Sequence, residues 1–428
     1  MPNMPSRHHG WWLVGLVSLL SGCAHPMSPP CFEPPVLPTV GRSSVHLDLS
    51  ALPKDAGPDP VGASYQGLNE ADCPCLAARA STLGNLLDQK AQALSQKKHK
   101  CPLGADKASE LSRTVLQLAA DEARNRSAGD AMEAFYRLIE AEGRLPLLSL
   151  GLKEVNESLK RAEELRAKGL QPPVEITVIR KQLTDLRSDE VNLRIAILQL
   201  NARLKVLLGL SCGDYRLWPL ADLKVVPEKL DIGEAVNYGL HHRPDLALLE
   251  VLAGGLDAGS LTLASQTLGG VNPLLGEPSS TAGFAALLAC LGGSKAQSAK
   301  LQVQTLLAER TRQATEEIRQ AVGLEGYRVQ RIILARQKVE DEERRITELE
   351  EKKARGLDDE GQLSTARLNL YKAQGERLRE VVEWKIARAR LRQAQGRLLE
   401  ECPRIHFAAP GAAPIESLPC CHTQPGSD

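Results

Sequence analysis

Two long stretches of this 428-residue chain repeat each other at an offset of 187 residues. Gly169-Leu170 recurs as Gly356-Leu357, Ile176-Thr177 as Leu363-Ser364, Arg180 as Arg367, Leu183 as Leu370 and Gly209 as Gly396. In the first copy Ile176, Leu183, Ile197 and Leu204 lie on a seven-residue grid broken by Glu190. Ile179, Leu186, Leu193, Leu200 and Leu207 lie on a second grid three residues on, which makes an a/d seam. The second copy carries Leu363, Leu370, Arg377, Trp384 and Leu391 on one grid and Ala366, Ala373, Glu380, Ala387 and Ala394 on the other. Some forty residues of helix reach about 60 Å, more than a single globular core needs. Stretches from about Ala108 to Arg166 and from Lys295 to Arg355 precede the two glycine turns and fit as antiparallel mates. The expected fold is therefore mainly α: duplicated long antiparallel helical hairpins of a coiled-coil kind, with at most a small β-hairpin contribution. A 3% aromatic content agrees with long helices. Formal net charge is zero, which removes a bulk-charge case for nucleic-acid binding. Mean hydropathy of −0.23 with 25% charged residues excludes a polytopic helical membrane protein.

The N-terminus reads as an address. Arg7, His8 and His9 precede the apolar run Trp11–Leu20, which is too short to span a bilayer and suits a signal peptide. It ends in Leu20-Ser21-Gly22-Cys23, which resembles a bacterial lipobox. The expectation is a signal peptide over 1–22 and acylation of Cys23; an ordinary secretory signal with an incidental Cys is the alternative. Ala24 after the Cys favours the outer membrane by analogy with other lipoproteins. Residues 23–72, with nine prolines, read as a lipid-anchored linker. A first helical repeat over 73–210, a strap over 211–242, a second repeat over 243–400 and a disordered Cys-containing tail over 401–428 complete the expected layout.

The strap carries Leu217-Trp218-Pro219-Leu220, then Arg243-Pro244-Asp245-Leu246. Pro is tolerated in a first helical turn and Asp there complements the helix dipole, so the tetrapeptide reads as a helix boundary without chemistry of its own. This order, together with Ala167-Lys168-Gly169, Ala354-Arg355-Gly356 and Leu291-Gly292-Gly293, resembles the TolC-like outer-membrane efflux family, in particular its lipoprotein branch. The resemblance covers about residues 106 to 400. It implies a homotrimer whose helices form a periplasmic tunnel, with four strands per protomer completing a shared barrel in the outer membrane. It also implies a periplasmic adaptor and an inner-membrane pump as partners. The turns between long helices would meet the adaptor, which singles out Arg166, Lys168, Gly169, Lys353, Arg355 and Gly356, with Asp358 and Asp359 beside them; solvated turns are the plainer reading.

The chain departs from the family where the strands belong. In the second half, 259–293 holds one charge and one aromatic, Glu277 and Phe284, so a reduced β segment is expected there. In the first half the corresponding stretch, 72–106, reads as helix over Leu76–Leu94, so the N-terminal strands are expected to be absent, replaced or moved. A conduit is one reading. A periplasmic coiled-coil scaffold lipoprotein that has lost the pore is the other.

Among nine further cysteines, Cys73, Cys75 and Cys101 suggest a disulfide closing that loop. Incidental thiols, or a metal site at Cys73-Pro74-Cys75 or Cys420-Cys421-His422, are alternatives, though neither has ordinary zinc spacing. His241-His242 reads as a solvated helix end. No phosphate loop, nucleophile elbow or catalytic carboxylate pair is present, so neither enzyme activity nor a cofactor is expected.

Overall fold

The structure, a computed structural model, describes residues 64–97, 105–172, 174–210, 213, 215–256, 296–356, 360–400 and 402, all within one compact unit. Residues 1–22, read as a signal peptide, Cys23, most of the stretch read as linker, the 259–293 segment and the residues beyond Cys402 lie outside them.

Among the described residues each repeat has the same plan. The first runs β1 (Tyr65–Asn69), α1 (Asp72–Ala80), α2 (Thr82–Lys97), α3 (Ala105–Ala167) and α4 (Ile176–Leu207). The second runs β2 (Arg216–Leu220), α5 (Ile232–His242), α6 (Pro244–Gly255), α7 (Ala296–Ala354) and α8 (Glu360–Ala394). The duplication is thus larger than the two long hairpins and begins with a strand. β1 and β2 pair in parallel, with Tyr65 opposite Arg216 and Asn69 opposite Leu220. Folded structure therefore begins inside the stretch read as linker. A parallel partner lies far along the chain and leaves no local turn signal. Pro219 is accommodated because, among the described residues, β2 is an edge strand paired on one side.

Four glycines in left-handed geometry set the helix ends. Gly169 (φ 75°) and Gly356 (φ 79°) end α3 and α7; Gly209 (φ 64°) and Gly396 (φ 75°) end the α4 and α8 segments. Both pairs stand at the 187-residue offset read from the sequence. Leu170 N–H donates to Leu165 O (2.9 Å) and Gly169 N–H to Arg166 O (3.0 Å), a Schellman cap. Leu210 N–H to Lys205 O (2.9 Å) and Arg397 N–H to Arg392 O (2.8 Å) repeat that geometry at the other ends. The two inner glycines are also pressed against the short-helix junctions. A Cβ on Gly209 would lie 2.9 Å from the Ala80 Cβ, and one on Gly396 would lie 2.7 Å from the His242 carbonyl oxygen.

The long helices form a layer in the order α4, α3, α8, α7, since α3 packs on both α4 and α8, and α8 on both α3 and α7. In α4 the expected seam is buried at Ile176, Ile179, Leu183, Leu186, Ile197 and Leu204. In α8 it holds at Leu363, Ala366, Ala373, Trp384, Ala387 and Leu391, while Arg377 is exposed and its neighbour Leu378 is buried in its place. Glu380, buried on the seam, is met by Arg331 (2.7 Å) and Arg328 (3.3 Å) from α7. A helix drifts by about 20° per heptad from a strict seven-residue grid, and a helix with neighbours on both sides buries residues off it as well. So Leu368, Leu378, Val381, Val382, Ile386 and Ala389 of α8 are buried too. The main core joins Phe135, Leu138 and Ile139 of α3 to Val382, Trp384 and Ile386 of α8, with Leu204 of α4, Leu68 of β1 and Leu217 of β2.

Candidate functional site: the repeat turns and the Arg243 junction

At the turns, Arg166, Lys168, Gly169, Lys353, Arg355 and Gly356 are all exposed. Asp358 and Asp359 lie outside the described residues. An ion pair spans the base of each turn. Arg180 of α4 pairs with Glu163 of α3 (2.8 Å), and Arg367 of α8 pairs with Glu350 of α7 (3.1 Å). These two bridges are the same bridge in the two repeats, 187 residues apart. Beneath the turns the hairpins are joined by a polar contact: the Ser364 hydroxyl donates to Glu154 (2.6 Å), and Ser158 lies 2.6 Å from Ser364. A cavity of about 390 Å³ beside it is lined by Val155, Leu165, Lys168, Ile179 and Leu368 among others.

The Arg243-to-Leu246 motif does more than mark a boundary. Arg243 is extended (φ −72°, ψ 122°), as the residue before a proline should be, and Pro244 opens α6. Its guanidinium is buried and donates to Asp245 (2.8 Å), to Glu317 of α7 (2.7 Å) and to the Ala394 carbonyl at the end of α8 (3.1 Å). Asp245 in turn accepts from Arg310 of α7 (2.8 Å) and from the Leu246 N–H (2.9 Å), and Arg310 also reaches Glu317 (2.8 Å). Burial alone would raise the Asp245 carboxyl. The Arg243 hydrogen bonds and the charges of Arg243 and Arg310 overrule it and hold the pKa at about 2. The motif therefore ties α5 and α6 to both helices of the second hairpin. Arg310 and Glu317, missed in the sequence, belong to it. The first repeat has a lighter counterpart: the Ser81 hydroxyl caps α2 by accepting from Gly84 N–H (3.3 Å), and Arg124 of α3 pairs with Asp88 of α2.

The cysteine pairing differs from expectation. Cys75 is bonded to Cys402, 327 residues away, with a Cα–Cα distance of 5.2 Å. Cys73, two residues earlier, is a fully buried thiol whose pKa burial pushes up strongly. On a helix, residues i and i+2 face different ways, so only one of the two can face the chain end. Cys101, Cys420, Cys421 and His422 lie outside the described residues. His241 and His242 bond back to their own helix, Nδ1 to Asn237 O (2.7 Å) and to Tyr238 O (2.8 Å). No group of three His, Cys, Asp or Glu placed to hold a metal occurs among the described residues.

No protein-family model and no curated protein matches the sequence. Solved structures do. The CmeC outer-membrane channel of Campylobacter jejuni matches with a TM-score of 0.57 at 13% identity, over 76% of this chain and 85% of that one. The open state of the MtrE outer-membrane channel of Neisseria gonorrhoeae matches with a TM-score of 0.54 at 12% identity, over 78% and 90%. The outer-membrane channel OprN matches with a TM-score of 0.50 at 18% identity, over 68% and 70%. These similar structures are channels rather than enzymes. At such identities the likeness is one of fold, and the chain carries the duplicated helical-tunnel fold of the TolC-like outer-membrane channels.

Proposed function

We propose that this chain is a divergent TolC-like outer-membrane lipoprotein, held by acylated Cys23, whose protomers close into a homotrimeric helical conduit for export. A periplasmic adaptor would dock on the exposed turns around Arg166, Lys168, Lys353 and Arg355, and pass on cargo from an inner-membrane pump. The observation that carries the reading is the four-helix layer with two unlike apolar edges. α4 exposes Val191, Ile195 and Leu198; α7 exposes Leu324, Tyr327 and Leu334. Unlike edges favour head-to-tail contacts, which form a ring when the rotation between copies closes. Leu198→Asp should drop the detergent-solubilised assembly to protomer mass with helix content unchanged. An unchanged mass would sink the ring. Cys23→Ser should release the protein from membranes, and continued retention would remove the anchor.

One observation favours the pore-less scaffold as a second reading. Only residues 98–104 separate α2 from α3, whereas 256–295 separate α6 from α7. A membrane strand takes about ten residues, so the first link has no room for a strand pair. One pair per protomer gives a trimer six strands, against about eight in the smallest outer-membrane barrels. A single Cys at Ser279 in a chain lacking the other non-anchor cysteines separates the readings. Labelling of intact cells by an impermeant thiol reagent supports the conduit; labelling only after permeabilisation supports the scaffold.

A further inference from the structure

We infer that this chain is a substrate of a thiol–disulfide isomerase, because its native Cys75–Cys402 bond must displace nearer pairings that form first. The inference rests on export to an oxidising compartment, part of the function proposed above. Three cysteines, Cys101, Cys212 and Cys290, lie between the bonded two, and Cys73 and Cys31 precede them. Cys75 meets Cys101 after 26 residues but Cys402 after 327. With closure falling as the three-halves power of loop length, the unfolded chain favours the short pairing roughly 40-fold. Cys402 faces the same competition from Cys420 and Cys421. N-to-C delivery adds to the bias, since Cys73, Cys75 and Cys101 arrive together and Cys402 only about 300 residues later.

Folding then selects against the early products. Cys73 and Cys75 are equivalent competitors in an unfolded chain. Once α1 forms, Cys73 is sealed in the core among Leu68, Ala77 and Phe135, and Cys75 is left beside Cys402. A chain caught as Cys73–Cys101 would have to pull a core residue out of α1, so the trapped form cannot finish packing and keeps its disulfide within reach of a catalyst.

The exchange balances without net oxidation. The initial disulfide is made by the compartment's disulfide donor, which leaves as a dithiol. An isomerase thiolate attacks the Cys75 sulfur of a Cys75–Cys101 bond and releases the Cys101 thiolate. The Cys402 thiolate then attacks the Cys75 sulfur of the mixed disulfide and expels the isomerase thiolate. The products are Cys75–Cys402 and a Cys101 thiol.

The test is refolding of the reduced full-length chain in detergent. Bonds are trapped with N-ethylmaleimide and mapped by peptide mass spectrometry. Oxidised glutathione alone should first give Cys73–Cys101 and Cys75–Cys101 peptides in excess. Reduced protein disulfide isomerase in glutathione buffer should convert them to Cys75–Cys402 at least about tenfold faster than the buffer alone. A chain with Cys73→Ala and with Cys23, Cys31, Cys101, Cys212, Cys290, Cys420 and Cys421 each replaced by Ser, which leaves Cys75 and Cys402 alone, should lose that acceleration. Cys75–Cys402 as the first product in glutathione alone, or equal acceleration in the substituted chain, would overturn the inference. Finding the full chain reduced in cells would instead overturn export, and leave the refolding result to judge the pairing order.

Discussion

The two repeats share a plan and differ in how many neighbours each long helix has. Of the long helices, α4 packs on α3 and buries one stripe, whereas α8 lies between α3 and α7 and buries two. The same grid of heptad positions thus gives a Leu/Ile-filled edge in one copy and an Ala-lined interior with Trp384 at its centre in the other. Small residues in α8 follow from close approach on two sides; exposed Val191, Ile195 and Leu198 in α4 follow from a missing neighbour. Duplication fixes where helices start and stop, and position in the layer decides what their faces must be.

The largest test of this contrast is truncation on each helix. Trp384→Ala, at a fully buried site, should cost about 3–5 kcal/mol of folding stability in denaturant titration. Leu198→Ala should cost the isolated protomer less than about 0.5 kcal/mol. Equal losses would mean that α4 has a covering neighbour within its own protomer. Next comes the junction between short helices, heavy in the second repeat and light in the first. Arg243→Ala leaves Asp245 and Glu317 with Arg310 as their remaining cation and takes a donor from the Ala394 carbonyl, and should cost about 2–3 kcal/mol; Ser81→Ala, which removes a cap, should cost about 1 kcal/mol.

The same junction sets an acid dependence. The Asp245 carboxyl, held at about 2 in the folded chain against an ordinary 3.8, stabilises the fold fully above pH 4. That stability, about 2 kcal/mol, is lost as pH falls from near 4 through 2, because the unfolded state takes up the proton first. The loss should vanish from the acid titration of Asp245→Asn, and a titration as steep as that of the unaltered chain would place the sensitivity elsewhere. The smallest effects are at the turns. Gly169→Ala and Gly356→Ala meet open space but a left-handed backbone, so each should cost about 1 kcal/mol, and the two should agree. Gly396→Ala adds a clash with the His242 carbonyl and should cost more; a cost equal to that of Gly356→Ala would show that the α5–α6 junction yields.

Much of this plan was legible because its signals are local. A glycine past a helix end and an apolar grid are read within a few residues, so the 187-residue repeat, both hairpins and the turns could be placed. The remainder depends on residues far apart in the chain. Nothing near Arg243 announces Glu317 or Arg310, and nothing in Tyr65–Asn69 announces a partner at Arg216. The second buried face of α8 had a visible trace, in that Leu368, Leu378, Val381, Val382 and Ile386 fall off both grids. Reading it required knowing that α3 lay on that side. The cysteine pairing was misassigned because sequence proximity favours Cys101, while the folded chain brings the end of α8 back to α1.

That return has a mechanical consequence for protease exposure. From Cys75 to Cys402 the chain is a covalently closed loop that takes in β2 and every long helix. A single nick anywhere on it, at a tip or in the link after α6, opens the loop without releasing a fragment. The clipped protomer should migrate near full length on a non-reducing gel and fall into two pieces only when a reductant is added, so a cut at the exposed turns removes no part of the body from its neighbours.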